Sequence, residues 1–264
     1  CIRDRSLIIS PLQKLMDNDT DNLRQKAYRM IYRNAERILR LVNQLMDIRK
    51  IDKGQMSLVF RETEITGFIN DLCETFAEQA LKKKITLTFH HPEEEKLKLW
   101  VDPTNFDKII MNILSNAFKF TPENGSVNIY LTTGEDKNMH GSLQHYAEII
   151  IADSGIGIPA EEKKHIFERF YQVEQEEPEH QSTGSGIGLS LVRDFVTLHE
   201  GTVRVVDNVG SGSVFLIELP VKHVHVSPSK PAPLAEEVEE HEELLPDMEE
   251  AVSYTHLTLP TNSR

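Results

Sequence analysis

Four short stretches hold the residues best able to do chemistry, in the order "NILSNAFKF", "DSGIGIP", "FERF" and "GSGIGLSL". In the last, Gly184, Gly186 and Gly188 precede an amphipathic run, with Leu189 next in line. Glycines at a helix start admit close backbone approach, and the free N–H groups of the first turn, aided by the helix dipole, point at an anion. The spacing G-x-G-x-G does not match a Rossmann fingerprint, and no Lys-Ser/Thr pair follows to make a Walker A loop. In "NILSNAFKF", Asn112, Asn116 and Lys119 recur at intervals of four and three, hence on one helical stripe beside Ile109, Ile113 and Phe120. Two amide oxygens and an ammonium suit a hydrated magnesium ion with phosphate oxygens, because magnesium keeps most of its waters. Taken alone, the same stripe reads as solvated polar residues. Asp153 follows the apolar run "IIIA" and so stands at a strand end, with Gly155 and Gly157 bending the chain after it. Its carboxylate could accept from an exocyclic amine, or simply serve as a turn or cap aspartate. "FERF" on a short helix reads as core packing.

These residues need elements to position them. From Asn22 to Asp52 the residues Tyr28, Ile31, Ala35, Ile38, Val42 and Leu45 alternate at spacings of three and four, a heptad seam. Such a helix is a rod of roughly 45 Å whose apolar stripe needs other helices alongside. "SLIISPLQKLM" supplies one from Ser6, kinked at Pro11, with "DNDTD" as the turn. A hairpin whose seams stay partly uncovered completes itself by dimerising into a four-helix bundle. After Gly54 the pattern predicts strands at 58–60, 85–90, 98–101, 126–132, 146–153, 202–207 and 213–219. It predicts helices over 64–83, 103–118 and 187–199. Strands come in pairs between long helices, which favours an α+β domain: a mixed sheet with helices on one face.

The 264 residues suffice for one sizeable core or two modest ones. No apolar run reaches the ~20 residues of a membrane span. Nine of the negative charges in the net −13 fall in the acidic stretch between Ala235 and Ala251, so the remainder is mildly acidic and shows no basic face for nucleic acid. Cys1 and Cys73 allow at most one disulfide, and no Cys/His spacing matches zinc. Residues 223–251, Pro-rich and then acidic, read as a linker.

Together and in this order, the four stretches resemble the asparagine, first glycine, phenylalanine and second glycine boxes of the sensor histidine kinases. The ATP-binding domain of those kinases shares its fold with gyrase, a chaperone family and the mismatch-repair ATPases (the GHKL fold). The hairpin resembles their dimerisation and histidine-phosphotransfer region, so residues 6–54 would be that hairpin and residues 55–222 the catalytic domain. The resemblance implies ATP and Mg²⁺ as cofactors. By it, Asn116 binds the metal and Asn112 helps orient metal and phosphates. Lys119 reaches the β- and γ-phosphates, Asp153 accepts from the adenine amine, Gly157 gives the base room, and Phe120 stacks near it. Gly184, Gly186 and Gly188 form hinge and cradle beyond the lid "YQVEQEEPEHQST", and "GSGSVF" is the final glycine box, with Ser213 near the adenine. Gly155 and Leu189 join the nucleotide-binding set. Hydrolytic relatives carry Glu where this chain has Asn112. An amide cannot take a proton from water, so phosphoryl transfer is expected instead of hydrolysis.

The implied activity is transfer of the ATP γ-phosphoryl to a histidine, in a homodimer, for relay to the aspartate of a receiver domain. The acidic linker is compatible with a hybrid protein carrying its own receiver. The chain would be a cytoplasmic part of a protein anchored in the bacterial inner membrane by upstream segments. A GHKL-type ATPase, a degenerate ATP-binding scaffold and a serine kinase of this fold are the alternatives. Two departures stand out. Gln172 occupies a position where many relatives place a basic lid residue. The phosphoacceptor motif His-Glu-x-x-Thr/Asn-Pro, expected just before "LIISPL", is absent, and the chain's other histidines read as surface or core residues. Cys1 to Asp4 can be encoded by DNA whose reverse complement encodes Val252 to Thr255. Residues 1–5 and 252–264 are therefore read as adaptor-derived and non-native, with Tyr254 and Leu257 expected not to pack.

Overall fold

The computed structural model describes residues 2–92, 97–137, 143–173 and 184–221. The expected linker, the C-terminal tail with Tyr254 and Leu257, most of the lid, and Cys1 lie outside the described residues. The chain divides into two compact units, Cys1–Met56 and Ser57–Arg264.

The first unit is a helical hairpin of α1 (Ile2–Asn18) and α2 (Asn22–Asp52). Asp21 caps α2, its carboxylate accepting from the backbone N–H groups of Leu23 and Arg24. The turn is tied by Gln25, which donates to the carbonyls of Met16 and Asp19, and by Tyr28, whose hydroxyl donates to Asp19 at 3.0 Å. Helix α1 begins at Ile2, four residues before the expected start, because residues 2–5 contain no breaker and a formed helix propagates at little cost. Ile9 and Leu12 are buried, whereas Ile31, Ile38, Val42 and Leu45 are 41 to 62% exposed. One neighbouring helix thus leaves four of the six heptad-seam residues exposed.

The second unit is a mixed α+β domain. Its main sheet has the order β2 (Thr86–His90), β4 (Ser126–Lys137), β5 (Leu143–Asp153), β7 (Ser213–Pro220), β6 (Thr202–Asp207). Only β2 and β4 pair in parallel; the other neighbours are antiparallel. A separate two-stranded ribbon joins β1 (Arg61–Glu64) to β3 (Lys98–Val101). The first strand thus lies just beyond the expected 58–60, because the Val59 N–H donates to the Asp102 carboxylate at 2.8 Å instead of entering a ladder.

Helices α3 (Ile65–Lys83), α4 (Pro103–Phe120) and α5 (Gly188–Leu198) supply the core opposite the sheet. Asp102 caps α4 and Pro103 opens it, its missing N–H costing nothing in the first turn. The face of α4 carrying Phe106, Ile109, Ile110, Ile113, Leu114 and Phe118 is fully buried, as are Val127, Ile129, Ile149 and Ile217 of the sheet. Phe118 stacks on Phe76 of α3 at a centroid distance of 4.9 Å. Because alternate residues of a strand point to opposite faces, one side of β4 and β5 packs on this helical layer.

"FERF" is not helical. Residues 160–170 form consecutive turns, and Phe170 ends them in a left-handed conformation, φ 66°. Phe167 does pack in the core, edge-on to Phe215, but Phe170 is 62% exposed.

Candidate nucleotide site

The singled-out stretches come from separate parts of the sequence and meet at the ends of β5 and β7 and the facing ends of α4 and α5. Asp153 terminates β5 and is buried. Its Oδ1 accepts from the N–H of Gly155 at 2.8 Å and from the N–H of Ser213, at the start of β7, at 3.3 Å. Among the described residues no donor reaches Oδ2, so one carboxylate oxygen is fixed by backbone and the other is left to accept. Burial pushes the Asp153 pKa up from its ordinary value, and the two backbone bonds counter part of that rise. The aspartate is therefore the turn residue that the sequence allowed, with Oδ2 left unbonded among the described residues.

Glycines permit the close approaches around it. A Cβ on Gly155 would lie 2.7 Å from both Asp153 Oδ1 and the Phe120 carbonyl, and one on Gly212 would lie 1.9 Å from the Asp153 carbonyl. Gly157 has φ 75°, a conformation side chains resist. The "DSGIGIP" loop is thus pressed between the end of α4 and the "GSGSVF" turn. Asn208, unremarked in the sequence, donates to the Asp153 carbonyl at 2.8 Å and fixes the turn from behind.

On α4, Asn112 is half-buried and its amide donates to the Lys108 carbonyl at 2.7 Å, leaving Oδ1 as the free end. Asn116 is half-buried and makes no hydrogen bond to another described residue. The Lys119 ammonium lies 4.8 Å from the Phe120 ring centroid and 3.6 Å from where a Gly184 Cβ would stand. Lys83 of α3, another residue the sequence did not flag, donates to the carbonyls of Phe118 at 2.7 Å and Thr121 at 3.2 Å. It holds the last turn of α4, which carries Lys119 and Phe120, by satisfying carbonyls that the helix itself leaves unpaired.

The "GSGIGLSL" run meets this surface from the other side. A Cβ on Gly188 would sit 2.8 Å from Asn112 Oδ1, so α5 begins against the amide stripe. Gly186 has φ 66°, and its carbonyl accepts from the Phe170 N–H at 2.8 Å, which ties "FERF" to the loop. Among the described residues no side chain caps the N-terminus of α5, whose first-turn N–H groups are left to donate to a ligand; Leu189 stands half-buried in that turn. Gln172 donates to the Gly184 carbonyl at 3.4 Å, a neutral tether where a cation is common. Ser213 is buried beside Asp153.

The pieces lie together: an acceptor at Asp153, an amide pair and an ammonium along α4, and the first-turn backbone N–H groups of α5. Residues 101–223 match the family described as histidine kinase-, DNA gyrase B-, and HSP90-like ATPase. This part of the chain belongs to that family. Over 218 residues, 82% of its length, the chain is 38% identical to the sensor histidine kinase TmoS of Ectopseudomonas mendocina, and it spans 21% of that relative. A crystal structure of full-length ShkA in complex with AMPPNP shares the fold, with a TM-score of 0.65 and 22% identity over 87% of this chain and 45% of that one. The nucleotide-free catalytic domain of histidine kinase ThkA superposes with a TM-score of 0.52 and 25% identity, covering 62% of this chain and 99% of that one. The chain is homologous to the catalytic ATP-binding region of sensor histidine kinases and carries their mixed-sheet GHKL fold together with N-terminal helices. Among the described residues no helix is long and apolar enough to cross a membrane, and no cluster of three His, Cys, Asp or Glu side chains could hold a metal ion.

Proposed function

We propose that this chain is the ATP-binding and dimerisation part of a sensor histidine kinase, which transfers the γ-phosphoryl of ATP to a histidine of the whole protein. The observation that carries this reading is Asp153: a buried carboxylate with one oxygen held by two backbone N–H groups and the other free to accept from an exocyclic amine. The base would sit there, with Phe120 near it and Gly157 and Gly212 giving it room. The triphosphate would run past Lys119 and Gly184 to the N–H groups that open α5.

The donor set of α4 fits Mg²⁺. Among the described residues the half-buried Asn116 amide and Asn112 Oδ1 accept no hydrogen bond; magnesium takes few protein ligands and keeps its waters. Asn116 would hold the ion with help from Asn112, and the ion would supply charge neutralisation at the phosphates. This chain's own residues contribute positioning and a cationic Lys119, the chief requirements of phosphoryl transfer. Asn112 favours transfer over hydrolysis, since its amide cannot act as a base toward water. The exposed residues Ile31, Ile38, Val42 and Leu45 on α2 support a homodimer closed through the hairpin, completing a four-helix bundle. The whole protein would pass the phosphoryl group to a receiver aspartate and be membrane-anchored by other segments.

Calorimetry with ATP and Mg²⁺ on the full chain tests the site, and incubation with γ-labelled ATP tests the reaction. We expect saturable binding, slow phosphate release, and no acid-labile label on this chain. Rapid hydrolysis would favour the ATPase alternative, and self-labelling would place an acceptor histidine within the chain.

A further inference from the structure

His199 takes no part in the site described above, yet it is buried and both of its ring nitrogens are bonded. Its Nδ1 lies 2.7 Å from the Phe195 carbonyl, which accepts, and its Nε2 accepts from the backbone N–H of Asp102 at 3.0 Å. That pattern fixes a neutral ring protonated on Nδ1. Asp102 is the cap of α4, and its carboxylate is fully engaged: Oδ1 accepts from Asn105 N–H at 3.0 Å and Oδ2 from Val59 N–H at 2.8 Å. The imidazole thus joins the C-terminal cap of α5 to the N-cap of α4.

Helices α4 and α5 lie side by side and antiparallel, since Asp102 meets His199 at one end and Asn112 meets Gly188 at the other. Ten residues of α4, about 15 Å at the helical rise, separate the two ends. At the nucleotide end the two helices approach closely, since a methyl added at Gly188 would sit 2.8 Å from Asn112 Oδ1, the end of that side chain. A slide of α5 along α4 would break the His199 bond to Asp102 and carry the first-turn N–H groups of α5 away from Asn112. We propose that His199 is a positioning residue for the nucleotide site: its neutral ring sets the register of α5 on α4, and so the placement of the α5 N–H groups against Asn112. This rests on the reading that the site binds ATP.

The alternative is that His199 is a packing residue, filling space beside Phe60, whose ring meets it edge-on at 5.4 Å. The two differ in what a substitution does to folded protein. His199→Gln can place an amide oxygen where Nε2 stands and keep the bond to Asp102. His199→Asn is shorter and reaches only the Phe195 carbonyl. The affinity of the full chain for ATP with Mg²⁺, measured well below each variant's melting temperature, should be about tenfold weaker for His199→Asn and within threefold of the parent for His199→Gln. A folded His199→Asn that binds within threefold of the parent overturns the inference while leaving the ATP site standing. A parent chain that binds no ATP overturns both.

Should His199→Asn not fold, a pH profile decides. Protonation turns Nε2 from acceptor into donor and sets it against the Asp102 N–H. Burial holds the His199 pKa below its ordinary value, and the Asp102 carboxylate partly offsets this. Two further charged residues belong to these elements: Glu200, next in the chain after His199, and Lys108 of α4, its ammonium 5.1 Å from the Phe195 ring centroid. The parent should lose affinity more steeply than His199→Gln as pH falls below 6.5, and superimposable profiles would overturn the inference.

Discussion

Asp153→Asn separates stability from function at one oxygen. In the folded chain Oδ1 already accepts from Gly155 and Ser213, and an asparagine can present its amide oxygen to the same two N–H groups. Its NH₂ then replaces Oδ2 and confronts an exocyclic amine with a second donor. The variant loses one hydrogen bond to a charged acceptor and buries two facing donors, together about 3 kcal/mol. That corresponds to roughly a 100-fold weaker Kd for ATP. Stability moves the other way, because the native carboxylate is desolvated and its folded pKa is raised above the unfolded 3.8. The stabilising contribution of such a group is full below pH 3.8 and is lost as pH rises through the folded value, so at neutral pH the buried charge is a cost. Asp153→Asn should therefore melt at or above the parent temperature while binding ATP roughly 100-fold more weakly. Asp153→Ala should lose both, since it orphans two buried N–H groups at about 1–3 kcal/mol each. Calorimetric titration with ATP and Mg²⁺, paired with thermal melts at pH 7.5, reads both quantities. If Asp153→Asn binds ATP within threefold of the parent, Oδ2 does not accept from the base and the placement of the nucleotide is wrong. The parent's own affinity should fall in acid as Oδ2 gains a proton, while its carboxyl contributes more to stability there.

Asn116→Ala should abolish the dependence of ATP affinity on Mg²⁺ while changing the melting temperature by less than about 2 °C, since the amide makes no hydrogen bond to another described residue; titrations with and without the metal check this. Lys84 closes α3 in the left-handed region at φ 55°, so Lys84→Gly should stabilise the second unit by about 1 kcal/mol, seen as a melting temperature higher by a few degrees. Phe118→Ala removes a fully buried ring stacked on Phe76 and should cost about 3–5 kcal/mol in denaturant unfolding. Ile38→Asp combined with Leu45→Asp on the exposed stripe of α2 should give a monomer in sedimentation equilibrium with ATP affinity unchanged; a parent that is itself monomeric would refute the dimer.

The sequence by itself located most of the elements and carried the family resemblance. Periodicity located the helical hairpin and all three helices of the second unit, because a buried face leaves a three-to-four spacing that needs no tertiary knowledge. The glycines of "DSGIGIP" and "GSGIGLSL" were legible because backbone with positive φ, or pressed against another chain segment, accepts little else. "FERF" was misread as a helix: the segment is held by short-range turn bonds and stopped at Phe170, left-handed and bonded to Gly186 16 residues on, a partner that local propensity does not encode. Tertiary structure alone decided which oxygen of Asp153 is free, since its partner Ser213 lies 60 residues away. It alone brought Lys83 under the end of α4 and His199 against Asp102, 97 residues apart. Spacing along a chain reports which face a residue shares with its near neighbours. Which distant donor or acceptor meets it is fixed only when the sheet and helices pack, and in this protein those long-range bonds hold the site together.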